Sequence, residues 1–368
     1  TSLYCVSAHQ KPAFLDEHYL VLLKRLRTQL IFRGKPMLAP YPEIQPNQCS
    51  RLTVDASSEL YIEESGSVDG HPVLVLHDGP GGRSEGYYRR LFDAERYRII
   101  QFDQRGCGRS TPSAETPANM LADAVADTAA VLSHLHIDRA VVMGFGWGAR
   151  VAVEFAMAHP EQIIHLLGCG YGCESKASAE WLFGGGAKDL FPDEWAELLQ
   201  TLEVNSAKSL LSRVTETMAG SNELLQAHTA KAWANWLARI SSLHVHGEIV
   251  GNFTNPRNAL TLTKMGSLFF LDMFNDETVH SLPGFEGGLV DVGPFEGGQV
   301  KGAIIHGRYD AVSPLSQSFE LHQRWPGSEL YIVRNAGHTA YDPAMTDALL
   351  RIISQVADRL DGVGELNG

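Results

Sequence analysis

Short apolar runs and amphipathic stretches take turns along most of this chain. Val73-Leu74-Val75-Leu76, Tyr97 to Phe102, Ile163 to Leu167, Ala303-Ile304-Ile305 and Glu329 to Val333 read as buried strands. Val141-Val142-Met143 adds another. Apolar positions at helical spacing predict helices over Met120 to Leu135, Ala149 to His159 and Met345 to Leu360. Arg51 to Glu63 alternates and predicts a β-hairpin. Strands that alternate with helices give an α/β fold: a mostly parallel sheet flanked by helices on both faces.

The pattern divides the chain. Residues 41–172 and 300–368 carry the strand–helix alternation. Residues 173–299 read as helices without core strands, a helical cap inserted into the sheet domain, with Trp181, Trp195, Trp233 and Trp236 among them. The cap leaves through two similar Gly-rich stretches, Gly284 to Gly288 and Pro294 to Gly298, which read as a connector. Residues 1–40 form an extension in which Leu15 to Phe32 has helical spacing with Lys24, Arg25 and Arg27 opposite the apolar side. A helix packed on the main domain is expected there. A mitochondrial presequence is the alternative, weakened by Asp16 and Glu17.

Three motifs follow predicted strands. Gly144-Phe145-Gly146-Trp147-Gly148 has the Gly-x-X-x-Gly spacing of a nucleophile elbow, with Gly146 where the nucleophile would stand. Gly307-Arg308-Tyr309-Asp310 supplies an acid and Asn335-Ala336-Gly337-His338 a histidine. Elbow, acid and base in that order are the α/β-hydrolase arrangement. Ligands of such sheets bind beyond the carboxyl ends of the strands, where all three motifs lie.

From about Tyr41 to Leu360 the chain resembles the prolyl iminopeptidase (prolyl aminopeptidase) family. The resemblance rests on Tyr41 to Pro46, His77 to Gly82, Arg90-Leu91-Phe92-Asp93, Phe102 to Ser110, Leu190 to Asp193 with Trp195, Gly307 to Asp310, and Ala336 to His338. It implies a cap over the active site and release of N-terminal proline by a serine. The chain departs from that pattern at Gly146, where the family has the serine. It departs again at Gly185 and Leu237, where the family has two glutamates that hold the substrate ammonium. Asp78 replaces a glycine of the oxyanion loop, and Ser313 replaces a cysteine.

These departures shape the expected site. His338 oriented by Asp310 is a general base. Backbone N–H groups at Asp78 or Gly79 and at Trp147 can still form an oxyanion hole, since they need no side chain. An ionised, inward Asp78 would oppose an oxyanion; a protonated one could donate a proton. Phe145, Trp147, Trp181, Phe183, Gly185, Trp236 and Leu237 are expected to bind a substrate of low polarity, because an ammonium buried without a counter-charge is costly.

Composition narrows the classes. A net charge of −13 over 368 residues argues against nucleic acid and anionic membranes as partners. Five scattered cysteines give no disulfide framework, so a reducing, cytoplasmic setting is expected. No cofactor is implied, as Gly79 to Gly82 lacks nucleotide-loop spacing. Cys169 and Cys173 follow a strand and read as buried structural residues, as does Cys107. A metal site at His244, His246 and Glu248 is not expected in a helical cap. The sequence carries no signal for an oligomeric state.

Three functional readings remain. One is a catalyst acting without a serine nucleophile on a small, mainly apolar molecule: an isomerase, lyase, cyclase or water-activating hydrolase using His338 and Asp310. Another is a serine hydrolase or aminopeptidase with its serine replaced by glycine at 146. The third is a non-catalytic binding protein.

Overall fold

A computed structural model describes residues 26–28, 36–115, 120–172, 176–245, 247–275 and 300–362. Nine strands form one sheet: β1 (Leu26–Thr28), β2 (Gln48–Thr53), β3 (Glu59–Gly66), β4 (His71–Leu76), β5 (Tyr97–Asp103), β6 (Ala140–Phe145), β7 (Ile163–Cys169), β8 (Gly302–Gly307) and β9 (Ser328–Val333). Their order is β1-β9-β8-β7-β6-β4-β5-β3-β2. The expected hairpin is β2–β3, antiparallel; β3–β5 is also antiparallel and the remaining pairs are parallel. The α/β architecture expected from the pattern is therefore present.

Both sheet faces are covered, which is why the strands are nearly continuous apolar runs. In β6 every residue is buried. Val142 joins a core with Leu74, Leu166 and Ile304 on one face. Val141 and Met143 join Val73, Leu167 and Ile305 on the other.

The helices are α1 (Gly86–Arg89), α2 (Met120–His134), α3 (Trp147–Ala158), α4 (Lys176–Ala179), α5 (Ala187–Leu190), α6 (Pro192–Thr201), α7 (Ala207–Ala219), α8 (Glu223–Ser241), α9 (Gly247–Thr254), α10 (Pro256–Asn275), α11 (Leu315–Arg324) and α12 (Pro343–Leu360). Among the described residues, β7 and β8 are linked only by helical elements, including a π-helical turn at Glu180–Gly184. This insertion is tied to the sheet end: the Ser241 carbonyl at the end of α8 accepts from the His338 and Thr339 N–H groups at 2.8 and 3.0 Å.

Two expectations need correction. Leu26–Thr28, inside the segment expected to be helical, is instead a strand parallel to β9. Pairing with an open sheet edge satisfies backbone groups that helical spacing in the sequence does not reveal. Residues 1–25 and 29–35, which hold the rest of that segment, and the two Gly-rich stretches lie outside the described residues. The elbow helix also begins at Trp147, two residues earlier than its apolar spacing suggests, because the turn passes into the helix directly.

Candidate active site

The elbow is made by three glycines with different tasks. A side chain on Gly144 would meet the Gly148 carbonyl, and one on Gly148 would meet those of Leu76 and His77. Their absence lets α3 lie close against β6 and β4. Gly146, at the apex, has φ of 49° and ψ of −115°, a conformation that ordinary side chains resist. A Cβ there would overlap the carboxylate of Asp78.

Asp78 comes from the loop after β4. Its Oδ1 accepts from the Gly79 N–H at 2.7 Å and the Trp147 N–H at 3.0 Å. These are the donors expected for an oxyanion hole, and here they hold the protein's own carboxylate. The loop is braced behind it by His77, whose Nε2 accepts from the Gln104 N–H, leaving Nδ1–H to donate to the Asp78 carbonyl at 2.7 Å. Asp78 remains reachable, with 34% of its side-chain surface exposed.

Asp78 Oδ2 lies 3.2 Å from His338 Nε2, and His338 Nδ1 lies 2.8 Å from Asp310 Oδ2. Both ring nitrogens face carboxylate oxygens, an arrangement that favours the imidazolium. Burial opposes that charge, but Asp310 and then Asp78 outweigh it and hold His338 well above the usual imidazole range. Burial also works against the Asp78 charge. The His338 hydrogen bond and charge, with the Gly79 and Trp147 N–H groups, hold the carboxyl below its usual range nonetheless. This favours the ionised Asp78 over the protonated form considered from sequence.

Asp310 is fixed from behind. Its Oδ1 accepts from the Val312 and Ser313 N–H groups at 2.9 and 2.8 Å. His306 of β8, fully buried, brings Nε2 within 3.0 Å of the Ser313 carbonyl and 3.3 Å of Asp310 Oδ2. Two acceptors there place the hydrogen on Nε2, and Nδ1 meets the Ser318 hydroxyl at 2.8 Å. Burial lowers the His306 pKa, which favours the neutral ring. His306 was not legible as a site residue: its signal is one histidine in an apolar strand, four residues before the acid.

A cavity of about 1110 Å3, counted to its open mouth, begins at this chain of groups. Asp78, Gly79, Phe145, Gly146, Leu237 and His338 line it. Phe145 is fixed by stacking on Tyr88, with ring centroids 4.2 Å apart. Leu182, Trp233, Phe253, Leu262, Phe270 and Val312 complete an apolar wall.

Five of the expected substrate contacts are not in that wall. The Trp147 ring turns away, with Nε1 donating to Gln104 Oε1 at 2.9 Å, so only its backbone serves the site. Trp181 donates its Nε1–H to the Ala311 carbonyl at 2.9 Å. Phe183 lies behind the lining, packed on Trp233 and Phe270. Gly185 faces Asp189, and Trp236 packs edge-on to Trp195 at the side of α8 away from the cavity. The α8 turn decides the last case: Trp233 and Leu237 face inward, four residues apart, and Trp236 does not.

Sequence reasoning also passed over Arg83, Glu85, Asn252 and Tyr341, which are among the polar residues of the cavity wall. Arg83 and Glu85 follow Asp78 in one loop, and Tyr341 follows His338 in another. That proximity was the available signal. Cys107 and Cys169 are buried beside Met265 and Met345, and burial pushes both thiols up, away from nucleophilic use. Cys173 and His246 lie outside the described residues; among those described, no cluster suited to a metal ion occurs. No helix among them is long and apolar enough to cross a membrane.

Residues 72–344 match the model of the alpha/beta hydrolase fold family. A proline iminopeptidase of Xylella fastidiosa is 35% identical over 310 residues, covering 84% of this chain and 96% of the relative. One from Xanthomonas citri is 36% identical over 312 residues, with 84% and 97% covered. One from Arabidopsis thaliana is 33% identical over 312 residues, with 84% and 80% covered. Among solved structures, a serine hydrolase from Cycloclasticus zankles superposes with a TM-score of 0.57 at 18% identity, covering 86% of this chain and 99% of that one. At that identity the likeness speaks for the fold. Similarity along most of the sequence, with this sheet order and this site, places the chain in the prolyl iminopeptidase family of the α/β-hydrolase superfamily.

Proposed function

We propose that this chain is an α/β-hydrolase-fold catalyst that works without a serine nucleophile, moving protons through Asp78, His338 and Asp310 on a small, mainly apolar molecule. The observation that carries this reading is the Asp78 carboxylate, seated on the Gly79 and Trp147 N–H groups and hydrogen-bonded to His338. While it stays there, an acyl oxyanion finds no free donors and meets a like charge. The relatives are proline iminopeptidases. The same hydrolysis here would require a nucleophile at Gly146 and an empty hole.

An ionised carboxylate beside an imidazolium is a base and an acid side by side. Asp78 takes a proton from carbon. The C–H electron pair moves to form a double bond and expels a neighbouring group, which takes a proton from His338 Nε2. Proton transfer from Asp78 to His338 across their hydrogen bond then restores the pair. Elimination, isomerisation and their reversals all fit this exchange. A serine hydrolase silenced at 146 leaves Asp78 unexplained, because a side chain at 146 and this placement of Asp78 exclude one another.

Nitrobenzisoxazole tests the reading. Loss of its ring C–H proton breaks the N–O bond and gives a coloured phenolate, without any acyl-enzyme. The chain is expected to catalyse this opening, Asp78→Asn to abolish it and His338→Gln to reduce it. Release of arylamine from a proline arylamide with an acyl-enzyme burst, and no ring opening, would overturn it.

A further inference from the structure

Three described arginines have a buried Nε without a hydrogen-bond partner: Arg83, Arg89 and Arg150. In two of them the guanidinium is otherwise engaged, Arg89 with Glu63 at 3.2 Å and Arg150 with Glu154. Arg83 is different. It lines the cavity, it is half-buried, and among the described residues no carboxylate lies within ion-pair distance of it. A cation that lines a cavity without an ion-pair partner is a group that an anionic ligand can pair with.

The nearest protein candidate is turned elsewhere. Glu85, two residues on, accepts the Tyr341 hydroxyl, and Tyr341 is itself held by stacking on Tyr87 and by the Asn252 side-chain amide at 3.4 Å. Burial pushes the Glu85 carboxyl up, more than Tyr341 and Arg83 pull it down. Asp78, the other carboxylate on this wall, already has His338 as counter-charge. Among the described residues the Arg83 cation therefore has no ion-pair partner, although two carboxylates share its wall.

We propose that Arg83 anchors a carboxylate on the substrate, which narrows the substrate class to apolar carboxylic acids. The acid group meets the planar guanidinium, which offers paired N–H donors to it. The apolar body then lies along Leu182, Leu237 and Phe270, with its reacting carbon toward Asp78 and His338. This deepens the proton-transfer reading and rests on it only for what happens after binding. It also adds a charge to the low-polarity ligand expected from sequence. That expectation followed from the absence of carboxylates at 185 and 237, which says nothing about a cation in the oxyanion loop.

Calorimetric titration of the whole chain with phenylacetate and with its neutral amide, phenylacetamide, separates the possibilities. Phenylacetate is expected to bind at least about tenfold more tightly. Arg83→Gln should erase that preference and leave phenylacetamide binding unchanged, which also shows that the variant is folded. Arg83→Lys should keep part of it. Binding is read here without turnover, so a failure of the catalytic reading leaves this one standing. Equal affinity for the two probes, no phenylacetate binding, or a preference that survives Arg83→Gln would each overturn the assignment.

Discussion

Gly146 and Asp78 share one space: the volume a side chain would fill at the elbow is filled by the carboxylate of the oxyanion loop. Neither residue accounts for the site alone. Glycine at 146 makes room, and aspartate at 78 brings in the charge that His338 then meets.

This coupling predicts a non-additive mutant cycle. Gly146→Ser should drive Asp78 out of the hole, lose ring-opening activity, and form little acyl-enzyme with nitrophenyl acetate, since the displaced carboxylate stays nearby. Gly146→Ser combined with Asp78→Gly should acylate measurably faster than either single variant. Burst kinetics read the difference. Gly146→Ala should also cost about 1–2 kcal/mol for its left-handed φ alone, seen as a lower midpoint in urea.

The imidazolium gives a pH signature. His338 is held above the usual imidazole pKa, so the folded state binds its proton more tightly than the unfolded chain. Its contribution to stability is complete below about pH 6.5 and is lost as pH rises through the folded value. Asp78 acts in the opposite direction: its contribution is present above about pH 4 and is lost as pH falls through its lowered value. Denaturant midpoints across that span should therefore fall at both ends. In Asp78→Asn the alkaline fall should begin earlier, and NMR titration of the ring should show its pKa moved down.

His306 should matter without touching a substrate. His306→Ala removes a fully buried ring and the Nε2–H that faces Asp310, a loss of about 2–4 kcal/mol. Because burial keeps this ring neutral, its contribution is complete above the usual imidazole pKa and declines as pH falls below it. His306→Gln, which can still offer an N–H, should recover part of the stability and shift the ring-opening pH profile rather than erase activity.

The two positions that differ from the family's glutamates should not be equivalent. Leu237→Glu introduces a carboxylate into the cavity wall and should give measurable affinity for prolinamide by calorimetry. Gly185→Glu faces Asp189 and should give none. Equal gains would contradict this placement of Gly185.

Much of this was legible in residue order. Strand runs, the glycines of the elbow, and Asp310 and His338 after their strands are local patterns, set by periodicity and by where a turn must follow a strand. They determined the α/β architecture, the position of the site beyond the strand ends, and Asp310 and His338 as a facing pair. Which aromatic residues of the helical insertion reach the cavity was not local: Trp233 and Trp236 are three apart on α8, and only packing selects between them. The same holds for β1, whose backbone pairs with β9 across the whole chain, and for His306, whose role exists only because Asp310 folds back over it. The direction of Asp78 was decided last of all. Its sequence position allows a carboxylate pointing toward or away from the hole, and the tertiary structure turns it inward because two backbone N–H groups and an imidazolium converge there.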